Sequence, residues 1–331
     1  MSAPKDLPPL TTSDTRSSIS AIPMHEVEPS PVDDDDDDED ENLPARDDSQ
    51  YPPTNPSDVE KQRLPATAHT TTNFLGLTPA RTLKILSGIQ KYSTVPPTLF
   101  LTLHYTNTSL IPLMTRSARE ADKYLLLTRP YYQSFPLEPL IVFGPIVAHV
   151  LSGLALRIYR RRVAAYRHGA ETHAQRKKIP WPKLSLTSAS GYSLYPMFVL
   201  HVLTMRIVPK NVDGSSAAVG LRYFAHGVAH HPWLTNIGYS VFVSVASFHF
   251  VTGAAKFLRL SKEYITEPGH SGQVTKKWRG RLINSVAALT AGVWIAGGLG
   301  VIGRSGMGVG WEAKNWDNIY KAVPLIGMLF R

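Results

Sequence analysis

Five apolar stretches, each bounded by charge or by polar loops, set the terms on which this chain can fold. They are Tyr92–Leu113, Phe135–Arg157, Gly191–Val208, Trp233–Phe257 and Leu282–Gly303. About 20 helical residues cross the ~30 Å hydrocarbon core of a bilayer, and each stretch is near that length. The first and third are the most polar. They carry Pro96, Pro97 and Pro196 and several hydroxyls, and membrane helices tolerate proline, most easily near the entry turn. Leu282–Gly303 is the clearest span, and its small residues, among them Ala287, Ala291, Gly292 and Gly297, permit close helix packing. Charge separates a body from an arm. Residues 1–60 hold 17 acidic against 3 basic side chains, whereas residues 61–331 hold 32 basic against 9 acidic. So few carboxylates leave little for hydrolytic or metal–oxygen chemistry. The fold expected is all-α: a polytopic membrane helix bundle of about five spans over residues 81–331, preceded by a disordered acidic arm over residues 1–80.

The arm is rich in Pro, Ser, Thr and Asp, and nine of its acids form the run Asp33–Glu41. Such a segment cannot bury enough apolar surface to offset its ordering entropy. Its first 30 residues lack the apolar core of a secretory signal and the Arg-rich character of a transit peptide, so no cleaved presequence is expected. One patch differs. Pro29 and Pro31 bias the backbone towards extended or polyproline conformations, and Val27 and Val32 flank them with apolar side chains. A pre-extended segment can dock on a groove or sheet edge at reduced entropic cost. On the residues alone, a docking peptide and a plain linker both remain open. The chain has no cysteine, which excludes disulfides, thiolate metal sites and a cysteine nucleophile.

Basic residues give an orientation. Arg160, Arg161, Arg162, Arg176, Lys177 and Lys178 follow the second span, and Arg259, Lys262, Lys276, Lys277, Arg279 and Arg281 follow the fourth. The positive-inside tendency places both loops, and with them the arm, in the cytosol. Such loops would also attract anionic headgroups.

An internal repeat is visible. A shift of 100 residues superposes Tyr92-Ser93 on Tyr192-Ser193, Pro96 on Pro196, His149 on His249 and Gly153 on Gly253. The reading is two repeated helical hairpins plus one span. The repeat sets one histidine in each of its four spans: His104, His149, His201 and His249. Ionisable residues at membrane depth are costly and face the bundle interior. His149 and His249 each sit roughly 12 Å in from the same face, and two imidazoles at matched depth can hold a haem iron between them. His104 and His201 would form a second pair nearer the other face. The alternative is four core histidines satisfied by hydrogen bonds. Gly153 and Gly253, one turn along, would leave room for a flat macrocycle or a close helix.

Other signals are weaker. His226-Gly-Val-Ala-His230-His231 sets two imidazoles at i and i+4, with no acidic third ligand nearby in sequence, so no metal beyond haem iron is expected. No nucleophile elbow, phosphate loop or dinucleotide fingerprint is present, and no catalytic residue is assigned. Basic charge interleaved with spans argues against nucleic acid. The hydroxyls and amides of the first and third spans (Ser93, Thr98, Thr102, Asn107, Ser190, Ser193) would suit a lipid-scrambling groove. The last segment, Trp311–Phe330, reads as an amphipathic helix.

The body resembles the MCP family of fungal mitochondrial outer-membrane adaptor proteins over roughly residues 80 to 303. The resemblance is carried by His149-Val-Leu-Ser-Gly153, the Arg-rich loop after it, Gly191-Tyr-Ser-Leu-Tyr-Pro196 with His201, and His249-Phe-Val-Thr-Gly253. In the arm, His25 to Asp33 is similar to the Pro-x-Pro motif through which that family recruits the vacuolar-protein-sorting-thirteen lipid-transfer protein. The resemblance implies a non-enzymatic adaptor of the mitochondrial outer membrane, with a cytosolic N-terminus, acting in lipid homeostasis at contact sites. Pro29 and Pro31 would be its key prolines, with Val27 and Val32 as apolar contacts. The body is also similar, more remotely, to the cytochrome b subunits of succinate dehydrogenase and fumarate reductase. That likeness implies haem b on His149 and His249. It does not extend to the quinone site, where Gln90 and Lys91 replace a histidine and an arginine.

Overall fold

The computed structural model describes residues 76–170 and 172–330. The Pro-x-Pro segment and the acidic run lie outside them. The described chain is helical, as the apolar pattern predicts, and carries no strand.

Helix α1 (Pro79–Tyr92) starts where the Thr78 side chain accepts the Arg81 N–H and Pro79 fills the first turn. The first apolar stretch follows as one helical path: α2 (Val95–Tyr105), a π-helical turn (Thr106–Leu110) and α3 (Ile111–Thr115). Two short helices, α4 (Ala118–Thr128) and α5 (Pro130–Gln133), lead to a second π-turn (Glu138–Phe143) and α6 (Gly144–Arg167). After α7 (His173–Lys178), the third path runs through α8 (Leu186–Val202), a π-turn (Leu203–Ile207) and α9 (Val208–Asp213). The fourth and fifth follow α10 (Leu221–His230): α11 (Pro232–Phe257), then α12 (Gly269–Ile295) with its π-turn (Ala296–Ile302). Helix α13 (Gly310–Ala322) is the last long element.

Among the described residues, three segments are long and apolar enough to cross a membrane: Glu138–Tyr166, Pro232–Tyr264 and Gly269–Ser305. On their outer faces Leu140, Leu151, Ile237 and Leu289 are exposed. Large apolar side chains turned outward in rows mark a lipid-facing surface rather than a soluble one. The other two paths are continuous helix but more polar. Their polar groups are put to use: Ser109 Oγ donates to the Val293 carbonyl at 3.0 Å, and Trp294 Nε1 donates to Thr108 Oγ1 at 2.9 Å. Gly297 completes this contact, because a Cβ there would overlap the Ser109 carbonyl. Interhelical hydrogen bonds and small residues hold membrane helices together where the hydrophobic effect cannot.

Two helices overrun their expected ends. Helix α6 continues past Arg157 through Arg160–Arg162, and α12 begins 13 residues before Leu282 and takes in Lys276, Lys277, Arg279 and Arg281. Lys and Arg are good helix formers, and their long stems can follow a helix out of the bilayer while the charge stays in water.

All four π-turns lie at the same end of the bundle. In three of them a proline, Pro112, Pro145 or Pro209, stands second in the α-helix that follows. Proline lacks an N–H and crowds the carbonyl four residues back, and a widened turn relieves both. The fourth contains Gly297, Gly298 and Gly300.

At this end α4, α10 and α13 form a folded cap. Its core is Val208, Val219, Tyr223, Trp316, Ile319, Tyr320, Val323 and Phe330. The rings of Tyr223 and Tyr320 stack at 4.4 Å, and those of Tyr320 and Phe330 at 4.5 Å. Tyr223 Oη donates to the Thr204 carbonyl at 3.2 Å, tying the cap to the third π-turn. Arg206 in that turn grips Glu138 with two nitrogens, at 2.6 and 2.5 Å. The expected amphipathic segment thus turns its aromatic face into the cap.

Candidate functional site

Each histidine of the bundle has a partner. The His149 and His249 rings lie 6.3 Å apart with 71° between their planes, and the His104 and His201 rings lie 6.1 Å apart with 67° between theirs. The surroundings of the two pairs differ.

His149 Nδ1 lies 3.0 Å from the Gln90 carbonyl at the end of α1. His249 Nδ1 lies 3.0 Å from the Thr187 carbonyl in the first turn of α8 and 3.3 Å from Ser190 Oγ. A carbonyl only accepts, so both Nδ1 atoms carry the proton and both Nε2 atoms keep a lone pair. Positions 90 and 149, and 190 and 249, are each 59 residues apart. Gly191 seats the second ring, since a Cβ there would lie 2.7 Å from His249 Cε1. Gly153 makes room for the Gln90 side chain, 2.9 Å from where its Cβ would be, whereas nothing lies within 4 Å at Gly253. Of the two expected uses of these glycines, a close neighbouring helix is what Gly153 serves.

The second pair sits among aromatic rings. His104 stacks on Phe100 at 5.3 Å and meets Trp294 edge-on at 6.0 Å. His201 lies 5.4 Å from Phe242, and its Nδ1 is 3.5 Å from Tyr239 Oη. No carbonyl fixes the tautomer of either ring.

A haem iron needs two imidazoles with free Nε2 lone pairs, oriented through an Nδ1–H held by an acceptor. His149 and His249 meet that donor requirement. His104 and His201 share the proximity without the orienting carbonyl.

The third histidine group was legible only in part. His226 Nε2 and His230 Nε2 converge on one oxygen of Asp317, at 2.9 and 3.0 Å. Asp317 is 91 residues from His226, so spacing along the chain does not reveal it. The three ligand atoms lie within 4.8 Å of one another. The tautomer argues against a metal. The Gly308 N–H donates to His226 Nδ1 at 3.1 Å, so the His226 proton is on Nε2 and is given to Asp317. A ligating imidazole needs the reverse arrangement. The group is a polar staple between α10 and α13.

The hydroxyls expected to suit a scrambling groove bond the backbone of their own helices, and Thr102 and Ser193 are exposed. Thr98 donates to the Thr94 carbonyl at 2.8 Å, Thr102 to Thr98 at 2.8 Å and Ser193 to Ala189 at 3.1 Å. Asn107 is buried and bonds the Leu103 carbonyl and Thr128 Oγ1.

The lipid-facing helices, the polar interhelical contacts and the paired buried histidines define a polytopic helical membrane protein. Residues 196–307 match the family described as MDM10-complementing protein 1, transmembrane domain. The mitochondrial adapter protein MCP1 of Saccharomyces cerevisiae is 24% identical over 217 residues, a stretch covering 58% of this chain and 66% of that relative. Both findings support the MCP family, in agreement with the resemblance read from the sequence. No solved structure matches the chain. The matched family segment holds His201 and His249, with His104 and His149 outside it.

Proposed function

We propose that the chain is an adaptor of the mitochondrial outer membrane. Its bundle is the anchor, of five spans built from a duplicated hairpin plus one. Residues 1–80 form a cytosolic arm that recruits a lipid-transfer protein of the vacuolar-protein-sorting-thirteen type through Val27, Pro29, Pro31 and Val32. The work is lipid homeostasis at organelle contact sites, without catalysis. The observation that carries the reading is the match to a relative whose name is mitochondrial adapter protein. Parallel detail supports the duplication: His104, the π-turn from Thr106 and Pro112 recur 97 residues later as His201, Leu203 and Pro209. The test is Pro29→Ala with Pro31→Ala in the full chain, with the transfer protein imaged on mitochondria. Loss of recruitment with normal membrane insertion is the expected result. Unchanged recruitment overturns the docking role.

A second reading rests on the carbonyl-held tautomers of His149 and His249. These side chains would hold haem b, which supplies one-electron chemistry when bound. The expected result is sharp reduced α and β absorption bands in the purified protein, lost in His249→Ala and retained in His104→Ala. A featureless spectrum from protein expressed with ample haem removes this reading and leaves the adaptor reading untouched.

A further inference from the structure

At the capped end, Arg116, Arg119, Arg222 and Arg304 line a single cleft of about 860 Å³. Four guanidinium groups around one space repel each other unless an anion joins them. Within the described residues the protein supplies only one partner. Arg222 is paired with Glu312 at 2.9 Å and lies over the Trp316 ring. Arg116, Arg119 and Arg304 are exposed and make no ion pair with a described residue. The nearest acid of the same helix turn, Glu120, is taken by Lys123 at 2.6 Å. Ser117, the N-cap of α4, also lines the cleft, so the positive end of that helix adds to the guanidinium field.

The place of the cleft says what kind of anion fits. It lies at the ends of the first and fifth helical paths, and Leu113 and Val301 add apolar side chains to its lining. A groove of about 420 Å³ adjoins it and shares Gly300 and Arg304. That groove runs along Ile295, Ala296 and Leu299, with Asn236 and Ser240 of α11 facing them. Gly300 of the π-turn at Ala296–Ile302 lines both, and only the Ile295 carbonyl of its own helix lies within 4 Å of where its Cβ would be.

A charged cleft and a partly apolar groove that share Gly300 and Arg304, at the end of the Gly269–Ser305 span, match one ligand chemistry. We infer that the cleft binds the phosphate of an anionic phospholipid, with an acyl chain laid in the groove beside Ile295 and Leu299. Guanidinium is the side chain best suited to phosphate, since its fork donates two parallel hydrogen bonds. The site lies at the end of the bundle opposite the basic loops after the second and fourth paths. It does not depend on the adaptor reading, which concerns the arm.

The test uses the full chain, purified in a neutral detergent, stripped of lipid and offered phosphatidic acid, phosphatidylcholine or inorganic phosphate. Bound lipid is measured by mass spectrometry and phosphate by competition. Phosphatidic acid is expected to bind in preference to phosphatidylcholine. Arg116→Gln with Arg119→Gln is expected to weaken it about fivefold per charge removed, with phosphatidylcholine unchanged. Ala296→Trp fills the groove without touching charge and is expected to weaken the lipid as well. Lys210→Gln, an exposed cation at the same end but outside the cleft, is expected to leave binding as it was. Should the double variant fail to fold, Arg304→Gln alone carries the same expectation. Equal binding of the two lipids, or unchanged binding in the cleft variants, overturns the inference. Displacement by low phosphate concentrations, with no effect of Ala296→Trp, makes the ligand a soluble anion and overturns the lipid assignment.

Discussion

The two ends of the bundle solve different problems with the same residue types. At the capped end Trp316 is buried, 3 % exposed, among Tyr223, Ile319 and Tyr320, and its Nε1 donates to the Ala218 carbonyl at 3.3 Å. At the basic end Trp181 is 49 % exposed and serves as a plate for two arginines, with the Arg161 guanidinium 4.2 Å and the Arg157 guanidinium 5.8 Å from its ring. One tryptophan fills a core and the other meets cations at the boundary. The capped end therefore has a buried aromatic cluster of its own, whereas at the basic end the tryptophan packs on cations at the surface.

Truncating the two tryptophans separates these roles most sharply. Trp316→Ala leaves a cavity in a packed cluster and is expected to cost about 3–5 kcal/mol. Trp181→Ala removes exposed cation–π contacts and is expected to cost about 0.5–1 kcal/mol. Thermal unfolding of the solubilised protein, followed by near-ultraviolet dichroism, measures both. Equal effects would erase the distinction between the ends.

The next largest effect is expected at Glu138. Its pair with Arg206 joins two π-turns and is largely shielded, with 16 % and 19 % of the side chains exposed. Glu138→Gln leaves the guanidinium half-satisfied. The cost is expected to lie above the ~1 kcal/mol of a surface pair and below the ~3–5 kcal/mol of a broken buried one. Moderate salt, which screens surface pairs, is expected to leave the difference from wild type nearly unchanged.

A smaller effect is expected at Asp122. Helix α10 begins at Gly220, which has no side chain to cap it, and Asp122 of α4 accepts the Leu221 N–H at 2.9 Å instead. Asp122→Ala is expected to cost ~1 kcal/mol, the worth of an ordinary N-cap. Amide exchange should quicken in the first turn of α10 and stay as it was in α7, whose cap at Thr172 is local in sequence.

The capped end is also where the sequence was least legible. The spans are local, since hydropathy over twenty residues reports burial in lipid directly, and the apolar stretches recur as helix. The cap is not. Its core gathers Val208 from the end of the third apolar stretch, Tyr223 from a segment with no signal of its own, and Trp316 and Phe330 from the amphipathic tail, and no local pattern reports that these three segments meet. Asp122 and Asp317 read as isolated acids until the fold brings α10 to them. The histidine pairs stood between these cases. Periodicity and the repeat marked the four residues, but the carbonyls that distinguish His149 and His249 from His104 and His201 belong to the backbone, which carries no residue-type signal. Gln90 is the clearest example, marked in the sequence by its side chain and used in the structure through its carbonyl.

The smallest expected effect is a pH dependence confined to the cap. Burial lowers the His230 pKa below the usual imidazole value, the neighbouring His226 charge lowers it further, Asp317 opposes the shift and His231 adds to it. A folded-state pKa below that of the unfolded chain means that the unfolded state binds more protons across the interval between them. Stability from this group is therefore complete above the ordinary value of 6.5 and falls as pH drops from there towards the lowered one. The arginine contacts of Trp181 at the basic end involve guanidinium groups that stay charged throughout this window. Acidification from pH 7.5 to 5.5 should accordingly loosen α10 against α13 before it loosens the Trp181 contact with α6. Amide exchange read element by element checks the order. His230→Gln should flatten the dependence while keeping a hydrogen-bond donor near Asp317, so an undiminished slope in that variant would assign the acid sensitivity to another group and leave the two ends alike in this respect.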